Sequence, residues 1–290
     1  MKALTKTAAA AVLLVALAGC TQAPAGQSPT EASSTPSSDA SAGASTDGSA
    51  EPTGEVTTDE ITIYVVRHGR TMLNTTDRVQ GWSDAVLTPE GEEVVEAAGR
   101  GLADVEFQSA YSSDSGRAIQ TAEIILAANG ASGDLALVHD PRLREFNFGT
   151  WEGDLNHTMW QAIADDQGVT LEEFQATFTP EVFANSVAKL DAQNPEAAKN
   201  WPAEDYATIE ARLSEALDEI VATETAKGNG NVLLVSHGLS ISALFDMLIE
   251  DYEGPQGGLK NASVSILRYA DGEYTLESLN DVSYIEAGQG

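Results

Sequence analysis

Two short runs hold most of the chemistry this sequence could perform: Arg67-His68-Gly69-Arg70-Thr71 and Ser236-His237-Gly238. Imidazole is the side chain whose ordinary pKa lies nearest neutrality, so near pH 7 it can attack an electrophile or pass a proton. Each run alone is weak evidence, because a histidine at a strand end more often serves a structural hydrogen bond. Two other histidines read as structural: His139, ahead of Asp140-Pro141, as a surface turn residue, and His157, just after Trp151-Glu152-Gly153, which could line the cap described below but fits a structural role better. The single cysteine, Cys20, excludes an internal disulfide framework and a Cys-based zinc site.

The elements that must position the two histidines follow from the apolar pattern. Ile61–Val66 and Asn231–Ser236 read as buried strands of a parallel sheet, each running into His-Gly. Thr88-Pro89-Glu90 supplies an N-cap, an N1 proline and an early acid, which opens a helix through about Leu102. Ser115–Ala128, Thr208–Thr223 and Leu239–Ile249 also show helical spacing, and Val264–Tyr269 with Tyr274–Leu279 reads as a hairpin turning at Asp271-Gly272. Strands alternating with helices predict a three-layer α/β/α sandwich with a mostly parallel central sheet, whose ligands bind at the carboxyl ends of the strands. The stretch from about 154 to 202 breaks this rhythm. Its helical pieces carry Trp160, Phe174, Phe178, Phe183 and Trp201, and it reads as a small helical cap insertion whose aromatics are mainly core.

Further motifs lie between the two histidines: Gln80-Gly81-Trp82, Leu87-Thr88-Pro89-Glu90-Gly91, Arg117-Ala118-Ile119-Gln120-Thr121-Ala122, Leu143-Arg144-Glu145-Phe146 and Gly149-Thr150-Trp151-Glu152-Gly153. Their order and spacing resemble the histidine phosphatase superfamily, also called phosphoglycerate mutase-like, over residues from about 61 to 286. The resemblance implies that His68 is the nucleophile that becomes phosphorylated. It implies a phosphate pocket from Arg67, Arg117 and His237, substrate or phosphate contacts from Asn74, Gln80 and Gly81, and a proton donor at Glu145, for which Glu152 and Asp154 compete. No metal and no cofactor are implied for the hydrolytic members. Where many phosphatase members carry Gly-Glu-Ser ahead of the long helix, this sequence has Ala203-Glu204-Asp205, which weakens any carry-over of substrate preference.

The chemistry is coherent on its own terms. A phosphate monoester is close to a dianion, and a transferring phosphoryl group spreads its charge over three oxygens, so a catalyst needs fixed donors around them. Two guanidiniums and a second imidazole would supply them, with His68 neutral and held in one tautomer. Glu145 would be protonated when the alcohol leaves and ionised when water attacks, its pKa lifted by burial near Phe146 and Phe148. The expected activity is hydrolysis of a small-molecule phosphate ester through phosphohistidine. Two alternatives are a cofactor-dependent phosphoglycerate mutase and a non-catalytic lipoprotein that binds phosphorylated ligands.

Charge and the N-terminal segment set the surroundings. With 15 Lys plus Arg against 45 Asp plus Glu, the formal charge is -30, which excludes a nucleic-acid partner for want of a basic stripe. Beyond a Debye length of ~8 Å the acidic surface is screened, so a contact pocket of arginines can still take an anion. Residues 1–19 read as an export signal, Lys2 and Lys6 preceding an apolar run too short to span a bilayer. Leu17-Ala18-Gly19-Cys20 resembles the lipobox of bacterial lipoproteins, in which the cysteine is acylated; residues 20–60, rich in Ser, Thr, Ala, Pro and Gly, read as a disordered tether. The expectation is a domain over 61–290 held outside the cytoplasm on a lipid anchor at Cys20.

Overall fold

The computed structural model describes residues 60–228 and 230–290. The expected signal, the expected lipid site at Cys20 and the expected tether as far as residue 59 lie outside the described residues.

Strands β1 (Glu60–Arg67), β2 (Phe107–Ser113), β3 (Leu137–Asp140), β4 (Gly230–Ser236), β5 (Val264–Ala270) and β6 (Glu273–Asp281) form one sheet in the order β3-β2-β4-β1-β5-β6. The first four pair in parallel; β5 and β6 add antiparallel at one side. The β5–β6 turn carries Asp271 at φ 54° and Gly272 at φ 88°, the pair of positive angles that a two-residue hairpin loop favours. Between and after the strands run α1 (Met72–Thr75), α2 (Pro89–Gly101), α3 (Gly116–Asn129), α4 (Asn156–Gln167), α5 (Leu171–Thr177), α6 (Pro180–Ala192), α7 (Tyr206–Lys227), α8 (Gly238–Leu248) and α9 (Ser283–Gly288).

Both sheet faces are covered, which is why the central strands read as unbroken apolar runs. Alternate residues of β4 divide between two cores: Leu233 and Val235 pack with Val95, Ala118 and Ile125 of α2 and α3, while Val232 and Leu234 pack with Leu213, Ile220 and Leu244 of α7 and α8. This is the mostly parallel α/β/α sandwich that the pattern predicted.

Capping chemistry sets the helix ends. Thr88 Oγ1 accepts from the Gly91 amide at 3.0 Å with Pro89 at N1, as expected. Helix α7 starts two residues before Thr208, because the Asp205 carboxylate accepts the Thr208 amide at 3.0 Å and caps the turn; it runs on to Lys227 and stops at Gly228, left-handed at φ 86°. His139 stands on the edge strand β3, paired with Ser112 and exposed, rather than in a turn.

The insertion is helical and has its own aromatic core. The Trp160 ring lies 5.7, 4.9 and 4.6 Å from those of Phe174, Phe178 and Phe183. Buried Asp191 of α6 ties the insertion to the preceding loop and to its own exit, accepting from the Thr150 amide at 2.7 Å and the Ala203 amide at 2.9 Å. His157 is exposed on α4. Trp201 departs from the expected core role and is 69% exposed.

Candidate active site

Parallel pairing of β1 with β4 matches Val66 to Val235 and Arg67 to Ser236, so the next residues on the two strands are His68 and His237. The ladder continues one step, with the His68 amide donating to the Ser236 carbonyl at 3.0 Å. The two rings stand with centroids 5.2 Å apart at 58°. The imidazoles expected to meet do so at the carboxyl end of the sheet.

His68 is buried, and its Nδ1 lies 2.8 Å from the carbonyl oxygen of Gly69. A carbonyl only accepts, so Nδ1 carries the hydrogen and Nε2 keeps a lone pair. Burial first, then the Arg117 and Arg67 guanidiniums, push the ring's pKa well below its ordinary value, so His68 is neutral at physiological pH. His237, fully buried as the N-cap residue of α8, is pushed down for the same reasons: burial, then Arg117, His68, Arg212 and Arg67.

The guanidiniums are held from behind. Arg117 is wholly buried; it donates to the Gly81 carbonyl at 2.8 Å, the Ser83 carbonyl at 3.1 Å and the Asp84 carboxylate at 2.9 Å. Arg67 donates through Nη1 to the Leu259 carbonyl. Gln80 accepts from Thr71 Oγ1 at 2.6 Å, and Asn74 Oδ1 accepts from the Thr71 amide at 3.2 Å and from Asn261 Nδ2 at 3.3 Å. Gly81 has no room for a side chain, since a Cβ there would sit 2.1 Å from the Phe146 carbonyl oxygen. These contacts leave Arg67 Nε, Arg117 Nε, Gln80 Nε2 and both His237 ring nitrogens buried with no hydrogen-bond partner. Buried donors left over around a lone-pair nitrogen are complementary to an anion with several oxygens.

Glu145 is buried as expected, in different company. Its carboxylate accepts from the backbone amides of Phe146 at 3.1 Å, Leu239 at 3.0 Å and Ser240 at 2.9 Å, the last two in the first turn of α8. The side chain therefore faces N–H groups rather than the apolar shell expected from Phe146 and Phe148. Ser240 Oγ lies 3.1 Å from Oε1 and 2.7 Å from the Arg144 carbonyl, to which it gives its own proton; its lone pairs can then receive one from Glu145. The competing carboxylates have other duties. Glu152 accepts from the amides of Gly81, Trp82, Ser83 and Phe148 at 2.8 to 3.1 Å and from Ser83 Oγ at 2.6 Å, which fixes the loop under Arg117. Asp154 is exposed.

One positioning group has no counterpart in the sequence reading. Arg212 of α7 forms a fork-to-fork pair with Glu204 at 2.8 and 3.0 Å and donates to the carbonyls of Arg142 and Arg144, both at 2.7 Å, and of Glu145 at 3.1 Å. Its partners lie about seventy residues away, and an i,i+8 spacing from Glu204 carries no local signal. Among the described residues no group of three or more His, Cys, Asp or Glu is arranged to hold a metal ion.

A lone-pair imidazole at a sheet end, ringed by a second imidazole and two braced guanidiniums, defines a class of α/β protein that grips a tetrahedral anion against a histidine. The chain belongs to the histidine phosphatase superfamily (branch 1), whose model matches residues 63–282. It is similar to a crystal structure of phosphoglycerate mutase from Bacillus anthracis str. Sterne, at 40% identity and a TM-score of 0.73, over 81% of this chain and 100% of that one. It is 33% identical over 206 residues to fructose-2,6-bisphosphatase TIGAR B of Danio rerio, covering 66% of this chain and 76% of the relative. A mycobacterial glucosyl-3-phosphoglycerate phosphatase has a TM-score of 0.55 at 26% identity, over 77% of this chain and 98% of that one.

Proposed function

We propose that this protein hydrolyses phosphate monoesters through a phosphohistidine at His68. The observation that carries the proposal is the neutral His68 ring, its Nδ1 fixed on Gly69, standing beside the His237 ring and within the field of Arg67 and Arg117, each of which keeps an unpartnered buried donor. In the first step Nε2 forms a bond to phosphorus in line as the ester P–O bond breaks, and the Glu145 carboxyl gives its proton to the departing alkoxide. In the second, a water oxygen bonds to phosphorus, its proton passes to Glu145, and the N–P bond breaks to release phosphate and neutral His68. Arg67, Arg117, Gln80 and His237 hold the equatorial oxygens in both halves, while Asn74 and Gly81 shape the wall beside them.

The test is rapid quenching of the protein with a 32P-labelled ester, followed by alkaline analysis. An acid-labile, base-stable phosphoryl group that vanishes in His68→Ala, with inorganic phosphate as the product, is expected. Isomerisation of phosphoglycerate without phosphate release would instead make the protein a mutase. Binding of esters with no turnover would make it a phospholigand receptor.

We propose further that the domain works outside the cytoplasm, tethered by a lipid on Cys20, on the strength of Leu17-Ala18-Gly19-Cys20 and its leader. Cys20→Ala should then move the protein from the membrane pellet to the soluble fraction; an unchanged distribution removes the anchor.

A further inference from the structure

We infer that the alcohol released by this site is an uncharged ring, a sugar or an aryl group, which lies on the exposed indole of Trp201. The inference deepens the phosphatase reading and rests on it. Two independent observations point the same way: an aromatic ladder leading out of the site, and the scarcity of cations for a second anionic group.

The ladder begins at the backbone of the proposed proton donor. Trp82 Nε1 donates to the Glu145 carbonyl at 3.1 Å, and the preceding Gly81 gives its carbonyl to Arg117. One neighbour of the Trp82 ring is the Arg144 guanidinium, 4.7 Å from its centroid; another is Trp201, ring to ring at 5.7 Å and 50°. Trp201 is the outermost rung and is 69% exposed. Its backbone is anchored: its amide donates to Asn200 Oδ1 at 2.9 Å, and Asn200 Nδ2 donates to the Gly149 carbonyl at 2.9 Å. The leaving oxygen must face Glu145, and in this inference the rest of the alcohol lies along the ladder that starts at the Glu145 backbone, on Trp82 and Trp201. Rigid indoles offer a flat apolar surface at little entropic cost, and they suit sugar C–H faces and aryl rings alike.

The charge inventory argues against the commoner kind of phosphometabolite, one with a second anionic group. Among the described residues every Lys and Arg is ion-paired with a carboxylate except Arg67, Arg78 and Lys260. Arg67 is in the phosphate pocket, and Arg78 donates to the Gly153 carbonyl at 2.7 Å. Arg144, the cation nearest the ladder, is held by Asp114 through two bonds of 2.6 Å. That leaves Lys260, exposed, and Arg70, whose pair with Glu90 is long at 3.7 Å and exposed; both are hydrated cations at the surface and weak clamps for a second phosphate or carboxylate.

The test compares four primary-alcohol phosphates on the full chain, so that the chemical step is matched: glucose 6-phosphate, benzyl phosphate, glycerol 1-phosphate and fructose 1,6-bisphosphate. The two ring monoesters are expected to exceed the other two in kcat/KM by about tenfold or more, one good stacking contact with its burial being of that order. Trp201→Ala should raise KM for the ring monoesters about tenfold while kcat stays within about twofold, and leave KM for glycerol 1-phosphate unchanged. Trp201→Phe should recover most of the loss. Equal KM changes for all four esters, no change for any, or a preference for the bisphosphate that Lys260→Ala abolishes would each overturn the inference while leaving the phosphatase reading intact. Phosphate release from none of the four would overturn both.

Discussion

The Arg212–Glu204 pair offers the most stringent test of how the site is held. Both side chains are largely buried, at 13% and 9% exposure. Arg212→Met leaves the Glu204 carboxylate without its partner, a change that typically costs about 3–5 kcal/mol. With a urea m-value of about 3 kcal/mol/M for a domain of this size, the unfolding midpoint should fall by roughly 1–1.7 M. Arg212→Lys keeps a charge but not the fork, and cannot serve Glu204 and the three carbonyls of Arg142, Arg144 and Glu145 together. It should lose less stability, about 1–3 kcal/mol, yet release the Glu145 backbone, and a misplacement of about 1 Å at a reacting group can cost ~10²-fold in rate. The double variant Glu204→Met/Arg212→Met removes both charges and should regain about half the stability lost by Arg212→Met, the three carbonyls staying unserved. Urea melts followed by circular dichroism, paired with kcat on a poor and an activated ester, read all three. If Arg212→Lys matched the wild type in midpoint and in kcat on the poor ester, the clamp would be a spectator and the reasoning wrong.

Glu145→Gln should slow esters of alkyl alcohols by ~10²–10⁴-fold and 4-nitrophenyl phosphate far less, because only the alkoxide needs the proton; equal losses would remove the acid role. His68 and His237 are both depressed in the folded state, whereas an unfolded histidine titrates near ~6.5. Their neutral forms therefore support folding fully above about pH 7, and that support falls as pH drops below ~6.5, where the unfolded chain takes up two protons that the folded one does not, at about 2.7 kcal/mol per pH unit. Urea melts from pH 7.5 to 5 should show this slope, and His237→Asn should halve it; an unchanged slope would place the titration elsewhere. Gly81→Ala forces a Cβ to 2.1 Å from the Phe146 carbonyl, so it should shift the loop that carries Arg117's acceptor and abolish turnover even where the protein still folds. EDTA should leave activity unchanged, since guanidiniums supply the positive charge; inhibition reversed by a divalent cation would contradict that assignment.

The residues legible in the sequence were those whose chemistry and local structure coincide in one short run. Strand-then-His-Gly carries its own geometry, because a buried parallel strand ends where its ligand crevice begins, and so two such strands place His68 and His237 in one crevice. Thr88-Pro89 and Asp271-Gly272 were equally local and marked a helix start and a turn. What escaped depends on partners far along the chain. The clamp from Arg212, the five donors collected by Glu152 and the tie from Asp191 across Thr150 and Ala203 each join segments that no periodicity links. Glu145 is buried as its sequence context suggests but in other surroundings: two aromatic neighbours in sequence point to an apolar shell, whereas the fold turns the carboxylate onto the start of α8. Trp201 was grouped with the core aromatics because composition cannot distinguish a ring that packs from one that is presented.

The spacing of the two imidazoles is set by adjacent strands at the middle of the sheet, which lie outside the excursion of residues 154–202. If Trp201 selects the alcohol as inferred, reaction and choice of substrate rest on different stretches of the chain. On that inference, a new preference for the alcohol asks only for a different side chain on the exposed rim at Trp201, while the buried part of the excursion, with Phe183 against Phe148, stays as it is.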